Sequence, residues 1–151
     1  MATAQPTNTN PYLGYLFSVN VAGIGTAAFS EATLSSVTVN TTSYREGTDS
    51  ASLSTLPGLV SYGNVTLKKG VTNSIQFFKW VQSVLQKGTD AAQNMTISVI
   101  DGPGSSSKIL ASWNFRGVFP IGYEVSPFDA SSSGVLLETL VLSVGDMERK
   151  Q

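Results

Sequence analysis

Apolar and polar residues alternate along several stretches of the chain. Within residues 36–44, for example, Val37 and Val39 have one parity, whereas Thr38 and Asn40 have the other. Because successive side chains of a strand point to opposite faces, this period of two predicts β-strands. The stretches that follow this pattern are residues 12–22, 36–44, 63–69, 93–100 and 109–119.

Two further features refine the strand prediction. Residues 135–144, VLLETLVLSV, are apolar on both faces, which is typical of a strand that is buried on both sides. In an oligomer, a neighbouring chain would cover the outer face of such a strand. Pro120 has no N–H to donate, so we expect it to end the strand over residues 109–119.

One segment, residues 73–87, has the period of an amphipathic helix. Its apolar residues recur at three- and four-residue steps, at Phe77, Phe78, Val81, Val84 and Leu85. Thr72 or Asn73 is suited to cap the start of this helix, and Gly88 is suited to end it. We expect Trp80, at the border of the apolar stripe, to anchor the helix in the core or at its rim.

The remaining segments are predicted loops, among which residues 45–61 form the longest and residues 101–107 a hairpin tip. About six strands and one helix predict a mainly antiparallel β-sandwich or open barrel with one flanking α-helix. We expect a single domain over residues 12–145. It would lie between a flexible N-terminal segment, residues 1–11, and a C-terminal tail, residues 146–151.

The composition is poor in charge, because Asp, Glu, Lys and Arg make up 13% of the 151 residues against roughly 25% in an average domain. Charge normally keeps a monomer apart from its neighbours. Two explanations stay open: other copies of the chain cover much of the surface, or the chain is a secreted β-protein rich in Ser and Thr. A net charge of −1 argues against a basic nucleic-acid-binding protein.

The residue types that most enzymes use are missing or scattered. The sequence has no His and no Cys, which removes the commonest general base, thiol chemistry and nearly all zinc sites. Acidic residues lie close in sequence only as Glu46 with Asp49 and as Asp146 with Glu148. We therefore predict that the protein is not an enzyme and uses no cofactor or metal. The lysines that we expect to be exposed, and so unable to activate a Ser, are Lys68, Lys69, Lys79 and Lys108.

Two glycine-containing stretches resemble nucleotide-binding motifs only superficially. Residues 23–28, GIGTAA, match G-x-G-x-x-A, but no helix-length segment follows, so we expect a hairpin connection. Residues 102–108, GPGSSSK, lack phosphate-loop spacing and precede a strand. The first eleven residues have no basic or apolar region of a secretory signal, and no apolar run approaches about 18 residues. We therefore expect folding in the cytoplasm and no membrane insertion.

Five blocks of sequence are informative together: SYREGTDS (43–50), LPGLVSYGNVTLKKGVTNS (56–74, followed by the helix with Trp80), QNMTISVIDGPG (93–104), WNFRGVFPIGYEV (113–125) and LLETLVLSV (136–144). They resemble the tail tube proteins of contractile phages, in the same order and with the same spacing from Tyr12 to Val144. This family includes the inner tube proteins of extracellular contractile injection systems and is structurally related to type VI secretion tubes. Residues 30–37, SEATLSSV, depart from the glycine-containing pattern expected there.

The resemblance implies a structural inner tube subunit of a contractile tail or injection system. Six subunits would form a ring, and stacked rings would form a channel that is expelled when the sheath contracts. The implied partners are further copies of the chain, the sheath protein, baseplate, hub and tube-initiator proteins, and a cargo of DNA or protein effector. Assembly would take place in the cytoplasm of the producing bacterium, before the subunit becomes part of the particle.

The resemblance also suggests roles for individual residues. The strand over residues 135–144 would be buried or intersubunit, with Glu138 paired to a basic group. The long loop would contact a neighbouring subunit or ring through Arg45, Glu46, Asp49, Leu53, Leu56, Pro57 and Gly58. The candidates for the lumen wall are Thr38, Asn40, Thr42, Asn64, Thr66, Lys68, Thr96, Ser98, Ser112 and Asn114. Plain solvent exposure explains these hydrophilic residues equally well, and a secreted β-sandwich binding module, adhesin-like or lectin-like, is the alternative function.

Overall fold

The computed structural model of the chain describes residues 11–48 and 53–150. This part of the chain is mainly antiparallel β-structure with one α-helix, which confirms the predicted fold class, although it has ten strands instead of about six. A 3-10 turn, Gly88–Ala91, follows the helix. The elements are β1 Phe17–Val21, β2 Gly25–Ala27, β3 Glu31–Thr33, β4 Val37–Tyr44, β5 Ser54–Tyr62, β6 Val65–Gly70, α1 Gln76–Lys87, β7 Gln93–Ile100, β8 Ile109–Val125, β9 Leu137–Ser143 and β10 Asp146–Lys150.

Eight strands form one folded sheet, in the order β2-β1-β7-β8-β9-β6-β3 with β10 on β8. Strand β8 joins its two halves: its first part pairs with β7 and β10, and its second part pairs with β9. The inward side chains of both halves form one core. The core includes Val19 and Val21 of β1, Met95 and Ile97 of β7, Val65 and Leu67 of β6, and Leu140 and Leu142 of β9.

A pair of glycines marks the corner between the two halves. Gly117 of β8 has a left-handed φ of 62°, and a Cβ on Gly145 would lie 3.1 Å from the carbonyl oxygen of Arg116. The chain that leaves β9 bends at Gly145 and continues along the same edge of β8 as β10. Glycine is the residue that permits such a tight bend with close backbone approach.

The expected C-terminal tail is therefore wrong for residues 146–150, which form the strand β10. Met147 packs against the core, and the Arg149 guanidinium lies 5.5 Å from the centre of the Trp113 ring. The predicted N-terminal segment, residues 1–11, lies outside the described residues except for Pro11. The first strand also begins later than expected, at Phe17 instead of residue 12.

Strand β8 does not end at Pro120 but continues to Val125. Its pairing with β9 shifts register between Pro120 and Gly122, opposite Leu142 and Val141. An irregularity of this kind is one of the few places where a strand accepts a residue without an N–H. The GIGTAA stretch forms the expected hairpin connection, which leads from β1 into β2.

The predicted loop over residues 45–61 is wrong for its second half, where β5 pairs antiparallel with β4. The register shifts between Val39 and Thr41, so that β5 has one extra residue beside Pro57. A Cβ on Gly58 would lie 3.1 Å from the carbonyl oxygen of Asn40, which explains a glycine at this bulge. Pro and Gly, which suggested a loop, are here tolerated in an outlying two-stranded ribbon.

Helix α1 covers the core with Phe77, which belongs to the predicted apolar stripe, and with Trp80 at its border. The stripe prediction is wrong for Phe78 and Leu85, which are exposed. The indole N–H of Trp80 donates to the carbonyl oxygen of Ala91 (2.9 Å). The helix ends at Gly88 as predicted, but it begins at Gln76, without a side-chain cap. The hydroxyl of Thr72 instead accepts a hydrogen bond from the N–H of Ser74 (3.3 Å), before the helix starts.

Strand β9 lies between β6 and β8 and is buried on one face only. Glu138, Leu140 and Leu142 point into the core, whereas the alternate residues are half-buried. The prediction of burial on both faces is thus not met within one chain, because nothing in the described part of the chain covers the second face completely. Lys69, which was expected to be exposed, is 7% exposed and buried beneath α1.

Candidate assembly surfaces and polar face

The β4–β5 hairpin is an arm with both faces exposed. Every residue of its two strands is exposed except Tyr62, the last residue of β5. The two strands pack on each other and on no other described element to a comparable extent. An isolated two-stranded hairpin is at best marginally stable in water, and a contiguous exposed apolar patch indicates an interaction site. Its exposed large apolar residues are Val37, Val39, Tyr44, Leu56, Leu59 and Val60.

The predicted contact residues that can be described lie on this arm or at its tip. Arg45 and Glu46 follow β4, and the hydroxyl of Tyr44 lies 3.5 Å from a carboxylate oxygen of Glu46. Leu53 precedes β5, and the structure places Leu56, Pro57 and Gly58 within it, so the structure brings these residues together on one ribbon. Asp49 lies outside the described residues.

The base of the arm is held by side chains from two other strands. The Tyr62 ring packs against the core, and its hydroxyl donates to Oδ1 of Asp146 on β10 (3.1 Å). The guanidinium of Arg116 on β8 pairs with Oδ2 of the same carboxylate. The hydrogen bond from Tyr62 and the charge of Arg116 hold the pKa of Asp146 below its usual range. The same hydrogen bond raises the pKa of the Tyr62 hydroxyl.

Hydrophilic side chains cover the outer face of the half-sheet β2-β1-β7-β8-β10. Its members can be read from the strand pairing, because residues that lie opposite each other on antiparallel strands share a face. Thr96 lies opposite Asn114, to which its hydroxyl donates (3.0 Å). Ser98 lies opposite Ser112 but is buried, at 4% exposure, so the prediction that it faces a lumen is not supported. Asn20 extends this row and donates to the hydroxyl of Thr26 (2.9 Å). We call this surface the polar face; its residues are Ser18, Asn20, Thr26, Thr96, Ser98, Ser112, Asn114, Arg116, Asp146, Glu148 and Lys150.

The charges of the polar face are confined to the β8–β10 edge and balance one another. Arg116 lies opposite Asp146, Glu148 opposite Asn114, and Lys150 opposite Ser112. Two cations and two anions leave no net charge on this surface. The lumen candidates predicted from the sequence did not include these four residues. Asp146, Glu148 and Lys150 lie on β10, which was expected to be a tail. The period-two pattern of the first strand could have added Ser18 and Asn20.

The ten lumen candidates do not share one surface. Thr96, Ser98, Ser112 and Asn114 lie together on the polar face. Thr66 and Lys68 belong to the outer face of β6, opposite Thr33 and Glu31, and Asn64 precedes that strand. Because β6 and β7 pack on the same core from different halves, their outer faces point away from each other. The remaining three, Thr38, Asn40 and Thr42, are on the arm.

A buried ionic cluster connects α1 to the other half-sheet. Lys69 Nζ lies 2.9 Å from Oε1 of Glu138, and the Tyr123 hydroxyl donates to Oε2 (2.7 Å). This cluster provides the basic partner that was expected for Glu138. The Lys69 ammonium also lies 4.6 Å from the centre of the Phe77 ring. Burial and the hydrogen bond to Glu138 raise the pKa of Tyr123 to about 12. Both carboxylate oxygens are thus occupied by structural partners.

The clefts of the described surface offer little chemistry. One cleft, about 530 Å³, is lined by the loop over residues 126–136. Its carboxylate, Asp129, accepts hydrogen bonds from the N–H and hydroxyl of Ser131, which lower its pKa. Over residues 11–48 and 53–150, no group of three metal-ligating side chains was found. The same residues contain no helix that is long and apolar enough to cross a membrane.

Comparison with known proteins identifies the family. No curated protein matches the chain. In contrast, a solved sheath–tube complex of the PVC extracellular contractile injection system contains a chain with 25% identity and a TM-score of 0.84, matched over 99% of this chain and 98% of that one. A chain in the anti-feeding prophage (AFP) baseplate has 25% identity and a TM-score of 0.76, over 94% and 97%.

A more distant structure shares the fold alone. Hcp1 from Flavobacterium johnsoniae has 18% identity and a TM-score of 0.55, over 89% of this chain and 94% of that one. The sequence profile of the T4-like virus tail tube protein gp19 matches residues 14–148. Since this match spans most of the sequence, the chain belongs to the T4-like virus tail tube protein gp19 family.

Proposed function

We propose that the protein is the structural inner tube subunit of a contractile tail or injection system, in which six copies form a ring and rings stack into a channel. The observation that carries this proposal is the arm: two exposed strands whose apolar side chains the rest of the described chain leaves uncovered. Another copy of the chain, in the same or the next ring, covers this surface. The six-fold symmetrised baseplate of the AFP relative supports the ring size.

Strand edges support ring closure. Strand β2 is at one end of its half-sheet, and β10 pairs with β8 and with no other described strand. Such edges expose N–H and C=O groups that can pair with another chain. When copies pair edge to edge around a closed ring, no edge remains to recruit further strands. This explains how a chain with few surface charges avoids open-ended aggregation.

The polar face is the best candidate for the lumen wall. Its side chains are mostly neutral hydroxyls and amides, and its four charges balance. A wall of this kind gives a passing polymer no strong site at which to stop. This choice keeps Thr96, Ser112 and Asn114 as lumen residues but not Ser98, which is buried. It places the other six candidates on the arm, beside it or on the far side of the core.

The partners follow from the assemblies in which relatives occur. The PVC relative is part of a sheath–tube complex, and the AFP relative is part of a baseplate. The corresponding partners here are a sheath protein, a baseplate with its hub and tube initiator, and a cargo of DNA or protein effector in the lumen. The subunit assembles in the cytoplasm of the producing bacterium, and the tube is expelled when the sheath contracts.

Electron microscopy of the purified protein, with two matched variants, tests this function. Leu59 on the arm and Leu85 on α1 are similarly exposed, at 81% and 83%. Leu59→Ser should prevent stacking into tubes, since it removes an apolar contact between copies. Leu85→Ser removes the same side chain from another surface and should leave tubes intact. For both variants the free energy of unfolding should lie within about 0.5 kcal/mol of the wild-type value.

The outcome that would refute the proposal is specific. If the wild type stays a single chain at high concentration, and does not polymerise when its baseplate is present, the protein is not a tube subunit. If the Leu59→Ser variant forms tubes as readily as wild type does, the arm does not make the contact assigned to it.

A further inference from the structure

The arm is attached to the core at a single side chain. In β4 and β5 every residue is exposed except Tyr62, whose ring packs against the core. Beyond Tyr62 no residue of either strand belongs to the core cluster or packs against it. Because these two strands lie outside the core, contacts at the base of the arm determine the direction in which its tip points.

Backbone contacts fix where the arm begins. The N–H of Gly63 donates to the carbonyl oxygen of Ser36 (2.8 Å), and the hydroxyl of Ser35 donates to the carbonyl oxygen of Gly63 (2.6 Å). These bonds close the two ends of the hairpin. They join residues adjoining the arm to one another, so they provide no restraint between the arm and strands β8 and β10.

A side-chain cluster provides that restraint. The Tyr62 hydroxyl donates to Oδ1 of Asp146 (3.1 Å), and the Arg116 guanidinium binds Oδ2. The three residues come from β5, β10 and β8, so the cluster joins the arm to both strands at the edge of the polar face. With the ring held in the core and the hydroxyl held by Asp146, rotation of the arm about its base requires loss of a hydrogen bond to a charged group.

We propose that Tyr62, Asp146 and Arg116 are positioning residues that set the angle of the β4–β5 arm to the polar face. The consequence for assembly rests on the proposed function. Strand β10 has an unpaired edge among the described strands. When a neighbouring copy pairs with that edge, β10 becomes more rigid and Asp146 holds the arm more firmly. Ring closure thus prepares the arm to contact the next ring.

Distance measurements between two spin labels test the angle directly. The sequence has no cysteine, so Ser43→Cys on the arm and Gln86→Cys on α1 place the two labels without background. Labelled chains are diluted into an excess of unlabelled chains, so that only distances within one chain are read. The wild-type pair should give one narrow distance distribution.

Two variants each remove one partner of the same hydrogen bond. Tyr62→Phe keeps the ring but loses the hydroxyl, and Asp146→Ala loses the acceptor at a partly exposed position where folding is not at risk. Both should broaden the distance distribution and shift its mean. The double variant should give no broader a distribution than Asp146→Ala alone, because that change already removes the hydrogen bond from Tyr62 together with the ion pair to Arg116.

Tyr123→Phe is the matched control, since it removes a similar phenol-to-carboxylate bond far from the arm. It should lower stability and leave the distances unchanged. The proposal is overturned if Tyr62→Phe and Asp146→Ala keep the wild-type distribution, or if Tyr123→Phe broadens it equally. Tube formation by the wild type is a separate readout, so failure of the proposed function does not decide this result.

Discussion

Strand β6 and the arm strand β4 have the same alternating sequence pattern, but only one of them is buried. In β6, Val65 and Leu67 are fully buried and their neighbours are half-buried. In β4, Val37 and Val39 are each 47% exposed, and the other residues of the strand are exposed as well. Alternation therefore indicates which residues share a face of a strand. It does not indicate whether the same chain covers that face.

The two regions differ in what stabilises them. Strand β6 lies between β3 and β9 and under α1, so its apolar residues gain from burial within one chain. The apolar residues of the arm gain little until another surface covers them. We therefore expect substitutions in β6 to change the free energy of unfolding, and substitutions in the arm to change assembly.

The largest effect is expected in the buried ionic cluster of the core. Lys69→Met leaves the Glu138 carboxylate buried without its cation, which should lower the free energy of unfolding by roughly 3–5 kcal/mol. Chemical denaturation at neutral pH measures this loss. The arm should be unaffected, so the label distance between positions 43 and 86 should stay the same in the folded fraction.

Replacement of the whole cluster is the control. In the triple variant Lys69→Met, Glu138→Leu and Tyr123→Phe, no charged group is left without a partner. Most of the lost stability should return, because apolar groups can replace a buried ion pair at little cost. If the single Lys69→Met change costs less than about 1 kcal/mol, the cluster is not buried as described.

A matched pair of isosteric changes compares the two strands directly. Val65→Thr places a hydroxyl where the side chain is fully buried, and should cost about 1–3 kcal/mol. Val39→Thr makes the same change on the arm and should cost less than about 0.5 kcal/mol. Denaturation curves for both variants measure the difference. Equal costs would mean that the arm is covered within one chain and would contradict its description as an exposed ribbon.

The sequence predicted the fold class because its signals are local. The alternation of β6 and β7, the stripe of α1 and the stop at Gly88 all depend on residues within a few positions. The signals that failed depend on partners far along the chain. Pro120 was expected to end a strand and Pro57 lay within the predicted loop. Each lies at a register irregularity with the neighbouring strand, where a residue without an N–H is tolerated. Strand β10 has no apolar alternation, and only its pairing with β8 makes it a strand.

The candidate site was predicted less completely for the same reason. The sheet bends at Gly117 and Gly145, and this bend determines which hydrophilic residues share a surface. The local sequence pattern does not predict the bend. Hence Thr66 and Thr96 looked equivalent in sequence and lie on different faces. Lys69 and Lys68 are adjacent, but the first is buried with Glu138 and the second pairs with Glu31 near the surface.

The smallest effect is expected only at alkaline pH. It concerns Tyr123, whose hydroxyl has a higher pKa in the folded chain than in the unfolded chain. Burial and the bond to Glu138 raise the pKa of Tyr123 from 10.0 to about 12. The unfolded chain therefore loses this proton first, and the stabilisation, complete below pH 10, is lost as the pH rises towards 12. Glu138 is the charged group that accepts the hydrogen bond from this hydroxyl, and Lys69 binds the other oxygen of the same carboxylate.

Denaturation of the wild type and of the Tyr123→Phe variant at about pH 9 and about pH 11 measures this effect. Other groups that titrate in the same range contribute equally to both proteins. Wild type should lose more stability between the two values than Tyr123→Phe does.

Tyr62, at the base of the arm, also has a raised pKa, but the hydrogen bond to Asp146 is the main cause. Asp146→Ala should therefore lower the pKa of Tyr62 in a tyrosinate absorbance titration and leave that of Tyr123 unchanged. A parallel shift of both tyrosines would mean that the arm base and the core cluster are one coupled unit, and not the two independent regions compared above.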